Sequence, residues 1–216
     1  MSVTLATGTI VAIGSTYGSS VTMSAITNAS EAVATLAGGH GCVVGDYLEV
    51  TSGWDRLNGR IVRVKAVATN DVTFESINTS STTRYPAGTG TGSVRRITAW
   101  TNLSQITSGI SVSGGELNFA DITTLTDATA KQIPTVRGAV RISMPWFYDP
   151  TLSWFSTVQG VAESTTATAL RMSFPNGSKL VANAYWSVQQ VPTIEDSTLR
   201  STVDASFAAD PTSYAS

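Results

Sequence analysis

The chain has one cysteine and one histidine. A single cysteine excludes an internal disulfide framework. With one of each, a Cys/His zinc site and most catalytic triads are short of a member. Charge is also scarce: charged residues are 13% of the chain, about half the usual share. The formal net charge is −2, which implies no basic tail or patch for nucleic acid. No apolar run approaches the roughly 20 residues that span a bilayer. The N-terminus lacks a basic region followed by an apolar core, so no signal peptide is expected.

What is present is small and polar. Ser and Thr exceed a quarter of the 216 residues, and there are 18 glycines. That composition suits many short strands and turns and rules out a coiled coil. The length fits one medium domain or two small ones.

Along the chain, residues 1–23 read as an arm plus a first strand, with GTIVAIG as the β-branched run and a Ser/Thr-rich start expected to be flexible. Residues 24–98 read as a separate small all-β unit. Its turns are Gly38-Gly39, Gly45-Asp46, Asn58-Gly59 and Asn70-Asp71. Its segment 61–67 alternates, with Ile61, Arg63, Lys65 and Val67 on one face. Residues 99–216 read as a second β-rich body with one helix. There, 117–122 is strand-like, and 123–134 is polar and reads as a long loop. The segment 137–147 alternates as one strand. Asp149-Pro150 signals a helix start, and Leu152, Phe155, Val158 and Val161 form its apolar stripe. Three more strands are expected at 168–174, 180–191 and 199–207, with Asn176-Gly177 as a two-residue hairpin turn between the first two.

Several features invite chemistry and are read more simply. His40 and Cys42 are a turn residue and a buried thiol, since no further ligands cluster near them. Asp121, Asp127 and Asp149 have the right side chain for acid/base work, but strand ends and a helix start account for them. GTGTG at 88–92 lacks the lysine and helix of a phosphate loop and reads as a flexible linker. Trp146, Phe147, Tyr148, Trp154 and Phe155 read as core between helix and sheet rather than a glycan platform.

The order of elements resembles a known family. LNFADITTL leads into a polar loop ending at Ile133-Pro134. RGAVRISMPW leads through Asp149-Pro150 into a helix. A strand then ends in FPNG with a hairpin partner, and a last strand and short tail close the chain. In this order the second body resembles the major tail tube proteins of long, non-contractile-tailed bacteriophages (siphophages). The segment 26–76 resembles a small β-barrel module found as an insertion in phage virion proteins.

The resemblance implies a mainly β fold: a β-sandwich with one flanking helix plus the inserted all-β domain. It implies hexameric rings stacked into a tube through which the genome leaves the virion. The loop 123–136 matches the family's stacking loop, which places Thr124, Leu125, Asp127, Lys131 and Ile133 between rings. The N-terminal arm and the tail 210–216 would touch neighbours as well. Partners would be other copies, the tail terminator, tape measure and distal tail or baseplate proteins. Double-stranded DNA would pass transiently through the lumen. Assembly would occur in the host cytoplasm, with no membrane insertion, cofactor, metal or catalytic residue.

A lumen that does not hold DNA should be neutral or weakly acidic, because phosphate-neutralising cations bind tightly. Residues 24–98 hold seven Lys/Arg and six Asp/Glu, and the rest hold six and nine. The resulting −3 of the body becomes about −18 in six copies. Glu116, Asp121, Glu195, Asp196 and Asp204 are the candidate lumen acids. Arg137 and Arg141 share a strand face, either pairing with a neighbouring subunit's acids or standing solvated. The basic insertion is expected outside, projecting from the tube as decoration or glycan contact. The rival readings are a β-rich receptor- or glycan-binding module and a hydrolase built on scattered carboxylates.

Overall fold

The computed structural model describes residues 7–215. Over these residues the chain is mainly β with one helix, as the sequence predicts. The strands are β1 (Ile10–Ile26), β2 (Val33–Leu36), β3 (Tyr47–Ser52), β4 (Ile61–Ala68), β5 (Asp71–Phe74), β6 (Gly92–Leu103), β7 (Ser111–Ser113), β8 (Leu117–Asp121), β9 (Gln132–Arg137) and β10 (Arg141–Phe147). After the helix α1 (Ser153–Ser164) come β11 (Thr168–Ser173), β12 (Lys179–Val188), β13 (Thr193–Glu195), β14 (Thr198–Phe207) and β15 (Thr212–Tyr214). Thirteen strands share one sheet in the order β2-β5-β4-β3-β6-β1-β11-β12-β14-β10-β7, with β13 on β14 and β15 on β12. The strands β8 and β9 pair only with each other.

The sheet closes on itself at one end. β2 pairs with β5 on one side and with the end of β1 on the other, at Met23↔Leu36 and Ile26↔Ala34. Six strands thereby form a closed barrel: β1, β2, β5, β4, β3 and β6. Its interior holds Met23, Leu36, Leu48, Val50, Val62, Val72, Phe74 and Val94, with Trp54 lying across it. Closure removes the open edges that invite uncontrolled pairing. β1 and β6 run on from the barrel into the second body, so positions 24 and 98 fall inside continuous strands. Bulges between Gly14 and Ser20 bend this shared ribbon between the two bodies.

The expected linker at 88–92 is packed, not flexible. A Cβ on Gly90 would stand 2.6 Å from Ile26 and from the Trp54 ring, and one on Gly92 would stand 2.1 Å from the Thr51 carbonyl oxygen. These glycines let the chain lie against the barrel's tryptophan and enter β6. The Trp54 indole N–H donates to the Pro86 carbonyl at 2.7 Å, which ties the same loop down.

The second body packs α1 against the sheet around Val11, Ile13, Met144, Trp146, Leu170, Met172, Trp186 and Val203. The helix buries Trp154, Phe155 and Val158. It starts at Ser153, later than Asp149-Pro150 suggests. The Asp149 carboxylate accepts from the N–H of Thr151 at 3.0 Å and so closes a turn before the helix. The aromatic cluster is core, as expected, for Trp146, which meets Trp154 at 4.6 Å and Phe155 at 5.4 Å. Phe147 is not part of it. Alternation along β10 turns its ring outward, where the Arg200 guanidinium lies over it at 5.4 Å.

A third cluster joins the two bodies. Tyr47 and Ile61 come from the barrel, Ile97 from β6, and Ala169, Val181 and Tyr214 from the body. This explains why Ile61 and Val62, on opposite faces of β4, are both buried: one faces the barrel interior and the other the seam. Asn183 donates to Glu49 at 3.1 Å across the same junction.

Three further expectations change. The segment 137–147 is not one strand, because Gly138 leads out of β9 before β10 begins at Arg141. The long loop at 123–134 is shorter, since β9 starts at Gln132. The FPNG hairpin encloses three residues rather than two: Phe174 and Ser178 are bonded, and Gly177 takes φ +84°, a three-residue loop with a left-handed glycine.

Candidate assembly surfaces

The segment from β8 to β9 leaves the main sheet as a hairpin arm. Its base needs glycine. Gly114 has φ +78°, and a Cβ there would fall 2.0 Å from the Ala139 carbonyl oxygen. Gly115 donates to Gly138 at 3.1 Å, and Gly138 donates back to Glu116 at 3.0 Å, which closes the base. Beyond it Leu117, Phe119, Ile122, Leu125, Ile133 and Val136 are all exposed. Six large apolar side chains left uncovered on one short two-stranded arm mark it as a candidate interaction element.

The arm's tip is built from its own hydrogen bonds. Asp127 accepts from the Thr124 N–H and hydroxyl, both at 2.9 Å, and from the Lys131 ammonium. Lys131 first, then the two Thr124 groups, holds the Asp127 carboxyl below the usual aspartate range. Asp121 accepts from the Thr123 N–H at 2.8 Å and from its hydroxyl, which lowers its carboxyl in the same way. The expected stacking residues Thr124, Leu125, Asp127, Lys131 and Ile133 therefore all lie on the arm. Thr124, Asp127 and Lys131 shape its turn, while Leu125 and Ile133 present apolar surface. Phe119 and Val136 belong to that surface too. Phe119 reads in the sequence as an ordinary strand residue and is uncovered because the arm is detached, and Val136, expected in the stacking loop, lies in β9.

The expected lumen acids lie on several elements. Glu116 is at the arm's base and Asp121 at the end of β8. Asp204 lies on β14 and accepts from Arg141 at 2.6 Å. Glu195 and Asp196 sit at the β13–β14 turn, where Asp196 and Ser197 both have positive φ. Arg137 and Arg141 do not share a strand face, because they fall on β9 and β10. Arg141 pairs within its own chain, and Arg137 is exposed with no acid partner among the described residues.

The two termini behave differently. Residues 1–6 of the arm expected at the N-terminus lie outside the described residues, as does Ser216. The tail expected to reach neighbours is seated on its own chain over β15, which pairs with β12. Tyr214 is buried there, and its hydroxyl oxygen accepts from the Arg63 N–H at 2.7 Å. Burial pushes its phenol up to about 12. At the other sheet margin, β7 pairs with β10 alone among the described residues, which leaves its outer edge open there.

No cluster of three or more His, Cys, Asp or Glu side chains that could hold a metal occurs among the described residues. His40 is tied at both ring nitrogens, to the Thr69 carbonyl at 2.9 Å and the Cys42 N–H at 3.1 Å. No helix among the described residues is long and apolar enough to cross a membrane.

These surfaces speak of assembly rather than turnover, and the family comparison agrees. The family described as phage tail tube protein (TTP) matches residues 52–216. The chain belongs to the phage tail tube proteins. It is a structural, non-enzymatic component of the virion tail. The family match begins inside the six-stranded barrel, at the end of β3. No curated protein sequence matches this tail tube protein. Among solved structures, a chain of the anti-feeding prophage (AFP) baseplate, seen by cryo-EM with six-fold symmetrisation, aligns at a TM-score of 0.36 and 10% identity. That alignment covers 55% of this chain and 86% of that one.

Proposed function

We propose that this tail tube protein forms hexameric rings that stack into the tube of a non-contractile phage tail, and that the genome passes through it on ejection. The observation that carries this reading is the β8–β9 arm, detached from the sheet and apolar on its exposed surface. An arm that projects from one copy onto a different surface of the next makes a heterologous contact, and contacts of that kind propagate. The open edge of β7 offers a second, lateral contact, where strand addition from a neighbour would complete its pairing. A net charge of −2 per chain suits a conduit that DNA must leave, because a cationic wall would bind phosphates. The terminator, tape measure and distal tail proteins are its expected partners at the tube ends and in the lumen. The six-stranded barrel, made by residues 24–98 together with the preceding part of β1, is an insertion carried on the shared β1–β6 ribbon.

The experiment is electron microscopy of purified protein, in which stacked hollow rings are expected. Removing residues 124–132 takes away the arm's tip, whose bonds and pairing beyond itself reach Asp121, Ile122 and Thr123 of the same arm. The variant should remain a folded monomer by circular dichroism and should not elongate. Tubes of normal length from that variant would remove the arm from the account. A persistent wild-type monomer that binds glycans would favour the receptor-binding alternative.

A further inference from the structure

Cations without a carboxylate partner among the described residues collect at one end of β14, where the Arg60 guanidinium donates only to the Thr212 hydroxyl at 2.9 Å. Seven of the 13 Lys/Arg side chains form ion pairs, which leaves six with no carboxylate partner among the described residues. Four of these six, Arg56, Arg60, Arg84 and Arg137, line one cleft of about 980 Å³. Asp55 and Asp210 share it, so the cleft keeps an excess of two positive charges in a chain of net −2. It lies where the arm's base meets the barrel turn after β3 and the segment that follows β14. Leu117 and Val136, both exposed, supply its apolar wall. Guanidinium groups gathered in a concavity repel one another and favour an anionic occupant, above all carboxylates, which they bind in bidentate geometry.

The complement sits at the far end of the same strand. Glu195-Asp196 is the one place in the sequence where two acids are consecutive. It forms the tip of the β13–β14 hairpin. Asp196 has no cation partner among the described residues, and Glu195 is 62% exposed with a 3.4 Å contact to Arg200. Beside them Val191, Ile194 and Leu199 are exposed, Ile194 by 81%. The tip is thus an acidic point flanked by apolar side chains, and the cleft is a basic hollow flanked by apolar side chains. The strand β14 has ten residues and spans roughly 33 Å, so tip and cleft of one chain cannot meet.

We propose that the Glu195-Asp196 hairpin of one copy seats in the arginine cleft of the next. The proposal rests on the self-assembly reading above and names one of its contacts. Two different, complementary patches held apart by a rigid strand give a head-to-tail junction, which repeats from copy to copy. Desolvated arginine–carboxylate pairs set register and reject wrong orientations, since like charges would then face each other. The contact also removes four arginines from the reach of passing phosphates.

The test is charge reversal with exchange. One variant carries Glu195→Lys and Asp196→Lys; the other carries Arg84→Glu and Arg137→Glu. Each places like charges at every junction, so the concentration needed for assembly should rise at least about tenfold over wild type, read by sedimentation and electron microscopy. In an equimolar mixture every junction between unlike copies is complementary again. Assembly should then return to within about threefold of wild type, at the same charge per pair. Glu163→Lys, on the exposed end of α1, is the control and should assemble as wild type. Thermal melts check folding, and Arg56→Glu with Arg84→Glu, which gives the cleft the same charge, replaces the cleft double should that variant melt early. Variants that assemble normally alone, or a mixture that does not recover, overturn the contact while leaving the tube reading intact. Wild type that never assembles overturns both.

Discussion

Among single residues, the glycines show most directly what packing demands. Gly90 lies with its missing Cβ directed at Trp54 and Ile26, both 2.6 Å away. Overpacking a closed core typically costs 1–3 kcal/mol. Gly90→Ala should therefore lower stability by about 2 kcal/mol, measured as a fall in the urea midpoint at unchanged slope. A neutral result would mean that the 88–92 segment is as loose as its composition alone suggests. Cys42 illustrates the opposite case: burial first, then Asp46, push its thiol up, and Arg96 offsets this only in part, which disfavours the nucleophilic thiolate.

At the scale of elements, the arm and α1 show two ways of handling apolar surface. α1 sets Trp154, Phe155 and Val158 into the sheet, and Trp154→Ala should cost about 3–5 kcal/mol, read by thermal or denaturant unfolding. A change below 1 kcal/mol would place that ring outside the core. The arm keeps its apolar side chains exposed and holds its turn with polar groups instead. Because the Asp127 carboxyl lies below its ordinary value, the charged form is preferred in the folded tip. That preference is fully present above about pH 4 and is lost as pH falls through the lowered value. In an NMR titration the Thr124 amide should move with Asp127, at a midpoint below that of a free aspartate. A midpoint at or above about 3.9 would show that the tip's hydrogen bonds do not persist in solution.

For the whole molecule, the seam matters most. β1 and β6 belong to both bodies, and Tyr47, Ile61, Ile97, Ala169, Val181 and Tyr214 form one cluster between them. Barrel and body should therefore unfold together, giving a single calorimetric transition whose van't Hoff and calorimetric enthalpies agree. Two separated transitions would show that the barrel is an independent attachment. The same cluster bears on removal of residues 24–96. Such a deletion would strip Tyr47 and Ile61 from the seam and leave Ala169, Val181 and Tyr214 facing water. An insertion that merely decorated the tube would leave no such surface behind.

Much of this was written in local pattern. Alternation and turn residues are short-range properties, so the strands, the single helix and the aromatic core around Trp146 were legible in the sequence, as was the family resemblance carried by the order of elements. The scarcity of charge and of Cys and His already pointed away from catalysis. Boundaries that depend on a distant partner were not legible. Gly138 interrupts an alternating run because the arm must leave the sheet there, and Asp149 closes a turn instead of opening a helix. The glycines at 88–92 read as a loose linker until Trp54 is seen against them. Whether an alternating apolar residue is core or contact surface depends on what covers it. Phe119 reads as a strand residue in the chain and is bare on the arm, and Arg137, Arg84 and Arg56 become one site only when the fold brings three separate segments together. Sequence determines what each residue prefers locally; long-range placement, which no local preference encodes, determines which of those preferences remains unmet and open to another copy.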